Sequence, residues 1–295
     1  MIFLLDKPTG MSSHLALQKA KRLFQATKAG HTGSLDPLAT GMLPLCFGEA
    51  TKFSRFLFDA DKCYVVTIRL GVTTTTGDSE GEVLETKPVP ALTLDDYNDM
   101  LARFHGPQLQ IPPMFSALKH QGKPLYQLAR QGKVVERASR EINIKRCVLE
   151  GVEHKEDGTF LTLTIECSKG TYIRTLTEDM GHYLRCGAHV VALRRLWVEA
   201  FQSYPMMTLA ALETLPLVQR TQHLLPIKTV LSYLLPVIEL SVEQAFCLMR
   251  GQIVQYVAGA IEGWVTLVTL AGEFLGVGEL CTDGRLIPKR LIQQV

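Results

Sequence analysis

Asp36 is the lone carboxylate in the run Gly30-His31-Thr32-Gly33-Ser34-Leu35-Asp36-Pro37-Leu38-Ala39-Thr40-Gly41, which also carries three glycines and a proline. Glycine permits close backbone approach and positive φ, and proline fixes its own φ. The residue before a proline is steered to extended conformations, so the pattern predicts a rigid loop presenting one acid. Such an acid can cap a turn, or serve as a nucleophile if its surroundings keep it ionised. Two further residue types could help it. Arg174 closes the run Cys167-Ser168-Lys169-Gly170-Thr171-Tyr172-Ile173 and stands near the start of a predicted helix, directly after a strand. Its planar fork suits a carboxylate and favours the ionised form. Tyr64, in Asp61-Lys62-Cys63-Tyr64, offers a ring for stacking and a phenol. With an ordinary pKa of roughly 10 that phenol is a poor base unless its site assists.

Other chemistries find less support. The seven cysteines (Cys46, Cys63, Cys147, Cys167, Cys186, Cys247, Cys281) are scattered and form no C-x-x-C pair, so neither a zinc knuckle nor a disulfide framework is expected. The eight histidines show no ligand spacing, and no metal is expected. No phosphate-cradling G-x-x-x-x-G-K-[ST] is present, and an aspartate-nucleophile hydrolase would show a second acid close to Asp36. No cofactor motif is found. Net charge is only +2, so any nucleic-acid footprint must come from local clusters. These are Lys19, Lys21, Arg22 and Lys28, the stretch from Lys119 to Arg140, and Arg194-Arg195.

The elements that must position these residues follow from periodicity and turn signals. A strand is predicted at Ile2–Leu5, then a turn at Lys7-Pro8-Thr9-Gly10 and a helix capped by Ser12 or Ser13 running to about Phe24. A second helix is read at 50–58, strands at 64–70 and 82–86 around a polar turn at 73–81, and a helix at 95–103. From Gly106 to Arg140 the chain is rich in Pro, Gly, Gln, Lys and Arg, with a helical patch at 125–131; this reads as an excursion from the core. Strands at 146–153 and 160–167, a helix at about 172–184 and a strand at 190–198 complete the large unit. Prolines at 216, 226 and 236 mark a connection leading out of it. The last sixty residues, with a short helix near 242–249 and glycine-broken β runs, suggest a small β-barrel.

Five segments, in order, resemble motifs of the bacterial tRNA pseudouridine-55 synthases, the TruB family. They are the Asp36 run, Lys7-Pro8-Thr9-Gly10-Met11-Ser12-Ser13, the Asp61–Tyr64 segment, the Cys167–Leu176 segment, and Ile111-Pro112-Pro113-Met114-Phe115-Ser116-Ala117-Leu118-Lys119 with the residues after it. The resemblance implies an α+β pseudouridine-synthase fold, with a mixed, mostly antiparallel central sheet flanked by helices and loops and a small C-terminal PUA-like β-barrel. It implies a catalytic domain over 1–234, with an RNA-gripping insertion at about 106–140, and an RNA-binding domain over 235–295. Uridine at position 55 in the tRNA T-loop is then isomerised to pseudouridine by base flipping, with no cofactor. Asp36 is the nucleophile, Arg174 its partner, and Tyr64 the stacking ring and proton acceptor. His31 fills the stack left by the flipped base, Lys119 belongs to the RNA grip, and Lys52 and Leu193 match positions near the site. A non-catalytic tRNA-binding or tRNA-folding protein is the alternative; it has no need of Asp36, Tyr64 and Arg174 together. One departure is Lys228 in Leu225-Pro226-Ile227-Lys228, where the family commonly carries an acid.

The opening Met-Ile-Phe-Leu-Leu-Asp-Lys-Pro lacks the basic lead of a secretory signal, and no long apolar run suggests a membrane span. A cytoplasmic monomer that binds the T-stem-loop of tRNA without an obligate protein partner is expected. Every candidate catalytic residue lies before 235, which predicts that the catalytic domain folds without the final sixty residues.

Overall fold

Buried and half-exposed residues alternate from Tyr64 to Leu70, the period of a strand with one face in a core. In the computed structural model, which describes residues 1–257 and 261–293, this strand (Lys62–Leu70) lies inside a nine-stranded sheet. From one edge the order is Met207–Thr208, Ile2–Lys7, Thr40–Phe47, Ala188–Val198, Lys62–Leu70, Gly158–Cys167, Arg140–Lys155 and Gly106–Gln110. Ala29–His31 also pairs with Thr40–Phe47. Ile2–Lys7 with Met207–Thr208, and Thr40–Phe47 with Ala188–Val198, are parallel; every other pair in the sheet is antiparallel. The fold is the expected α+β arrangement around a mixed, mostly antiparallel sheet.

One face of the sheet is covered by the helices Ser13–Leu23, Leu94–Arg103 and Ile173–Tyr183, whose Ala16, Leu17, Tyr97, Met100, Leu176 and Met180 join Phe3, Leu5, Val66 and Ile68 in the main core. Ser12 caps the first helix by accepting a hydrogen bond from the Leu15 amide. Gly181 lets the third helix lie close on the sheet, since a Cβ there would stand 2.3 Å from the Ala188 nitrogen.

The opposite face carries a second core where the large unit meets the final residues, which also enclose a core of their own around Ile238, Leu248, Leu267 and Leu286. Ile2, Leu4, Met42, Phe53, Leu57 and Phe201 from the large unit pack with Val277, Trp264 and Phe274 from the final residues. Val237–Leu240, Gly263–Thr269, Phe274–Leu280, Arg285–Leu291 and Val254–Gln255 form, in that order, a curled five-stranded sheet. Among the described residues no pairing closes it, so it is a half-barrel, in keeping with the small PUA-like β-barrel expected. The predicted helix over Val242–Met249 is present, with a capping box between Ser241 and Gln244.

Three local features differ from expectation. The 50–58 helix is a 3-10 turn, Gly48–Phe53, followed by a short α-helix, Ser54–Phe58. The proline-marked connection is no free linker: it forms the helices Leu217–Thr221 and Ile227–Leu234, and Leu225 exchanges backbone hydrogen bonds with Ile2. Lys228, in place of an acid, donates to the Gly272 carbonyl at 2.5 Å and so ties that segment to the curled sheet. The strand Thr40–Phe47 was hidden by Pro44, which removes a backbone donor. It is tolerated because this side of the strand is covered only near its ends, by Ala188–Val198 at Thr40 and Gly41 and by Ala29–His31 from Leu45 onward.

Candidate active site

The Asp36 loop runs from the end of Ala29–His31 to the start of Thr40–Phe47 and is fastened by the chain opening. The fully buried Lys7 ammonium donates to the carbonyls of Pro8 (2.8 Å), Met11 (2.6 Å) and Pro37 (3.3 Å). Burial brings its pKa down to about 8, with Asp36 pulling the other way. Ser13 clamps Leu35 twice: its hydroxyl donates to the Leu35 carbonyl at 2.9 Å and accepts from the Leu35 amide at 2.7 Å. The Gly10 amide and the Thr9 hydroxyl donate to the Pro37 and Leu38 carbonyls. The Lys7–Ser13 motif is therefore a clamp on the Asp36 loop as well as a helix start.

Arg174 is buried and meets Asp36 with two prongs, Nε to Oδ2 at 2.8 Å and Nη2 to Oδ1 at 3.3 Å. Its remaining donors reach the Thr76 carbonyl (2.6 Å) and the Phe115 carbonyl (2.7 Å). The second contact draws the base of the 106–140 excursion to the site. That base is also held by a reciprocal pair of hydrogen bonds between the Gln110 side chain and the Tyr172 backbone. Asp78 stands behind the guanidinium, Oδ2 at 3.7 Å from Nε, and is fixed by the Thr76 hydroxyl and the Glu80 amide. The Asp36 side chain keeps 38% of its surface open to solvent. Its enclosing loops push its carboxyl pKa up, Arg174 pulls it down, and Asp78 adds to the upward push; the net direction is upward. Without Arg174 the charged form would lose its main support.

Tyr64 lies beneath the loop, in the core with Leu35 and Leu193. Burial drives its phenol pKa upward, and the Arg195 guanidinium opposes this. Leu193 is cross-strand partner of Val66, two residues from Tyr64 along the same face, so the structure brings Asp36, Arg174, Tyr64 and Leu193 into one neighbourhood. His31 ends its short strand with Nδ1 buried and without a hydrogen-bond partner among the described residues. Burial, Arg195 and His14 all lower its pKa, so the ring is neutral near pH 7. Lys119 is exposed on a two-residue ladder with Pro124 in the excursion.

Lys52 is not part of this group. The eight-residue strand Thr40–Phe47 separates it from Asp36, a span of roughly 25 Å at about 3.3 Å per residue. Its ammonium binds Glu49 at 2.5 Å and the Leu291 carbonyl at 3.2 Å, joining the two cores. Two residues escaped sequence reasoning. Asp78 sits in a threonine-rich stretch that reads as a polar turn, and Arg195 reads as half of a basic pair. The only signal for Asp78 was an acid within a predicted turn. Among the described residues no set of His, Cys, Asp and Glu side chains comes together to hold a metal ion, and no helix is long and apolar enough to cross a membrane.

An ion-paired aspartate on a clamped loop, over a buried tyrosine on a mixed sheet, defines a pseudouridine-synthase class of protein. The chain belongs to the TruB family of pseudouridylate synthases. Residues 21–173 match the N-terminal domain of the TruB family pseudouridylate synthases, 174–239 the C-terminal domain of tRNA pseudouridylate synthase B, and 236–292 the C-terminal region of pseudouridine synthase II TruB. It is 51% identical to the tRNA pseudouridine synthase B of Nitrosococcus oceani, over 99% of this chain and 94% of that protein. It is 50% identical to the one from Stutzerimonas stutzeri, over 99% and 95%. The fold is shared with a chain in a crystal structure of a Cbf5-Nop10-Gar1 complex, at a TM-score of 0.74 and 22% identity over 99% of this chain and 84% of that one.

Proposed function

We propose that this chain isomerises uridine to pseudouridine in tRNA, at position 55 of the T-loop, and that Asp36 is its nucleophile. The observation that supports this most directly is the two-pronged ion pair between Asp36 and Arg174. The isomerisation breaks the bond from N1 of uracil to C1′ of ribose, forms one from C5 to C1′, and moves one hydrogen from C5 to N1. No oxidant or group donor is needed. The protein must supply an ionised nucleophile aimed at the nucleoside, a pocket for an extruded base, and a proton acceptor.

Arg174 keeps Asp36 charged and fixes its direction, while the remaining open surface of the carboxylate faces the entering nucleotide. The Tyr64 ring stacks on the base and its oxygen takes the proton. Leu193 is the apolar packing beside that ring. Neutral His31 stacks into the gap that the flipped base leaves. Lys119 and its neighbours in the excursion follow phosphates, and the curled C-terminal sheet adds RNA contacts away from the reaction. The protein works as a cytoplasmic monomer, without a cofactor or obligate protein partner. A tRNA-binding role without catalysis is less well supported, because a carboxylate facing the ligand repels phosphates and offers a binder nothing.

Incubation with unmodified tRNA transcript, followed by carbodiimide mapping with primer extension, tests this reading. A new stop one nucleotide 3′ of position 55 is expected; its absence with folded protein rejects the assignment.

A further inference from the structure

Arg195 is among the most deeply buried side chains in the molecule, 1% exposed. Its Nε donates to the Met42 carbonyl at 2.6 Å and its Nη2 to the Gly33 carbonyl at 3.1 Å. Among the described residues no carboxylate lies within ion-pairing distance of it. A buried charge without an anionic partner is costly, and such charges are ordinarily paired. The field it creates is visible on its neighbours, since Arg195 pushes Lys7, Lys62 and His31 toward their neutral forms. The pocket beneath the Asp36 loop thus lacks an anion.

Asp36 does not fill that place, because its two oxygens are held by Arg174. An RNA phosphate cannot reach it either. Only 1% of Arg195 is exposed, and its guanidinium is bound to the Gly33 carbonyl of the overlying loop. What remains is the residue directly opposite Arg195 in the ladder, Tyr64. Cross-strand partners share a face of the sheet.

We propose that Arg195 is a positioning residue that holds Tyr64 beneath the Gly33–Asp36 loop and supplies the counter-charge for its phenolate. The inference rests on the reading that this chain forms pseudouridine with Tyr64 as proton acceptor. In that step the phenolate oxygen takes the proton leaving C5 of the base and becomes a neutral phenol, which passes the proton to solvent. N1 gains a proton in exchange, so the isomerisation balances. Three other titratable groups surround Tyr64. Lys62, two residues along the same face, has its pKa brought down to about 8 by burial and turns its ammonium to the Phe58 and Ala60 carbonyls. Cys167, from the adjacent Gly158–Cys167 strand, has its thiol pushed up to about 12 and stays neutral. Asp36, from the loop, opposes ionisation of the phenol. Arg195 favours it, by its charge and by a side-chain hydrogen bond.

The test uses the full chain and an unmodified T-stem-loop RNA. Single-turnover rates are followed from pH 5.5 to 9.5, with tyrosine or the more acidic 3,5-difluorotyrosine at position 64. Arg195→Gln keeps an amide donor for the two carbonyls and removes the charge. Its rate at pH 7 should fall about 10²-fold, with RNA affinity within about threefold of wild type. Its rising pH limb should move up by about one unit or more, and difluorotyrosine should return about tenfold of the rate. Arg195→Lys keeps the charge and should leave the limb in place.

A folded Arg195→Gln protein with an unmoved limb, or with a loss equal at all pH values and no rescue, overturns the proposal. If Arg195→Gln does not fold, Arg195→Lys decides: a limb displaced despite the retained charge overturns it. Difluorotyrosine that leaves the limb unmoved with Arg195 intact does the same. Failure of the functional reading is seen separately, as absence of pseudouridine from the unaltered protein.

Discussion

Arg174 grips Asp36 with two prongs while the Thr76 and Phe115 carbonyls hold the same guanidinium from other sides. One side chain therefore aims the carboxylate and ties two distant loops to it. Asp36→Asn preserves the shape of this pair and one acceptor oxygen, but the amide is no nucleophile. The variant is expected to melt near the wild-type temperature, bind tRNA, and lose about 10⁴-fold or more in turnover. Steady multiple turnover in purified Asp36→Asn would remove this residue from the chemistry.

Arg174→Lys keeps a charge but cannot span Asp36, Thr76 and Phe115 together. Each buried carbonyl left without a donor costs about 1–3 kcal/mol, so the melting temperature should drop. The single-turnover rate should fall about 10²-fold as the carboxylate loses its fixed direction. RNA affinity should change little. A near-normal rate in this variant is incompatible with the assigned role.

Glu178 lies one helical turn after Arg174, against Gly77. Burial raises its pKa from 4.5 to about 7, although Arg174 pulls it down. Between those two values the folded chain holds a proton that the unfolded chain has released, so this group makes stability fall as pH rises from about 4.5 to about 7. Glu178→Gln removes the ionisation. Thermal melts at pH 8 should show the variant above wild type, with the difference vanishing near pH 4.5. A variant less stable than wild type at pH 8 would mean that the attraction to Arg174 outweighs burial.

Much of this site was legible because it depends on local chemistry. The Gly-rich, proline-marked Asp36 run predicts a rigid loop, and the structure has one. Arg174 was found through the resemblance of its segment to a family motif, since an arginine at a strand-to-helix junction says little by itself; its burial shows only in the fold. What stayed hidden depends on contacts between segments distant in sequence. Asp78 gains meaning only when its turn folds against Val190 and brings it behind Arg174. Arg194 and Arg195 are adjacent and chemically alike, yet the first forms a two-pronged pair with Asp6 while the second lies in the core. Strand alternation sends them to opposite faces, and no composition measure separates them. Gly41 belongs to the same class. Its φ of +96° and a would-be Cβ 2.2 Å from the Arg195 carbonyl oxygen explain why only glycine fits where the two parallel strands meet. The curled sheet was legible as β structure, but its union with the large unit was not, because shared burial leaves no period in either segment.

That union gives the last prediction. Phe53 meets Phe274 with ring centroids 5.3 Å apart, and Phe56 meets Trp264 at 5.2 Å. Val277 is fully buried in the same cluster. Polar contacts reinforce the seam: Glu49 accepts from the Gln293 amide at 2.9 Å, and Lys52 donates to the Leu291 carbonyl. Cutting the chain after residue 234 bares Phe53, Phe56 and Leu57 together. Burial of such side chains is worth about 1.5–3 kcal/mol each, against a total stability of about 5–15 kcal/mol for an ordinary domain. The 1–234 fragment should therefore aggregate or melt far below the full chain, and the full chain should unfold in one calorimetric transition. Trp264→Ala in the full chain should cost less than the ~3–5 kcal/mol of a fully buried tryptophan, because Trp264 is half-buried; it leaves the Asp36 loop intact, so turnover at saturating RNA should persist below the melting range. A soluble 1–234 fragment with a cooperative transition near that of the full chain would show that the second core is a contact surface and not a shared interior.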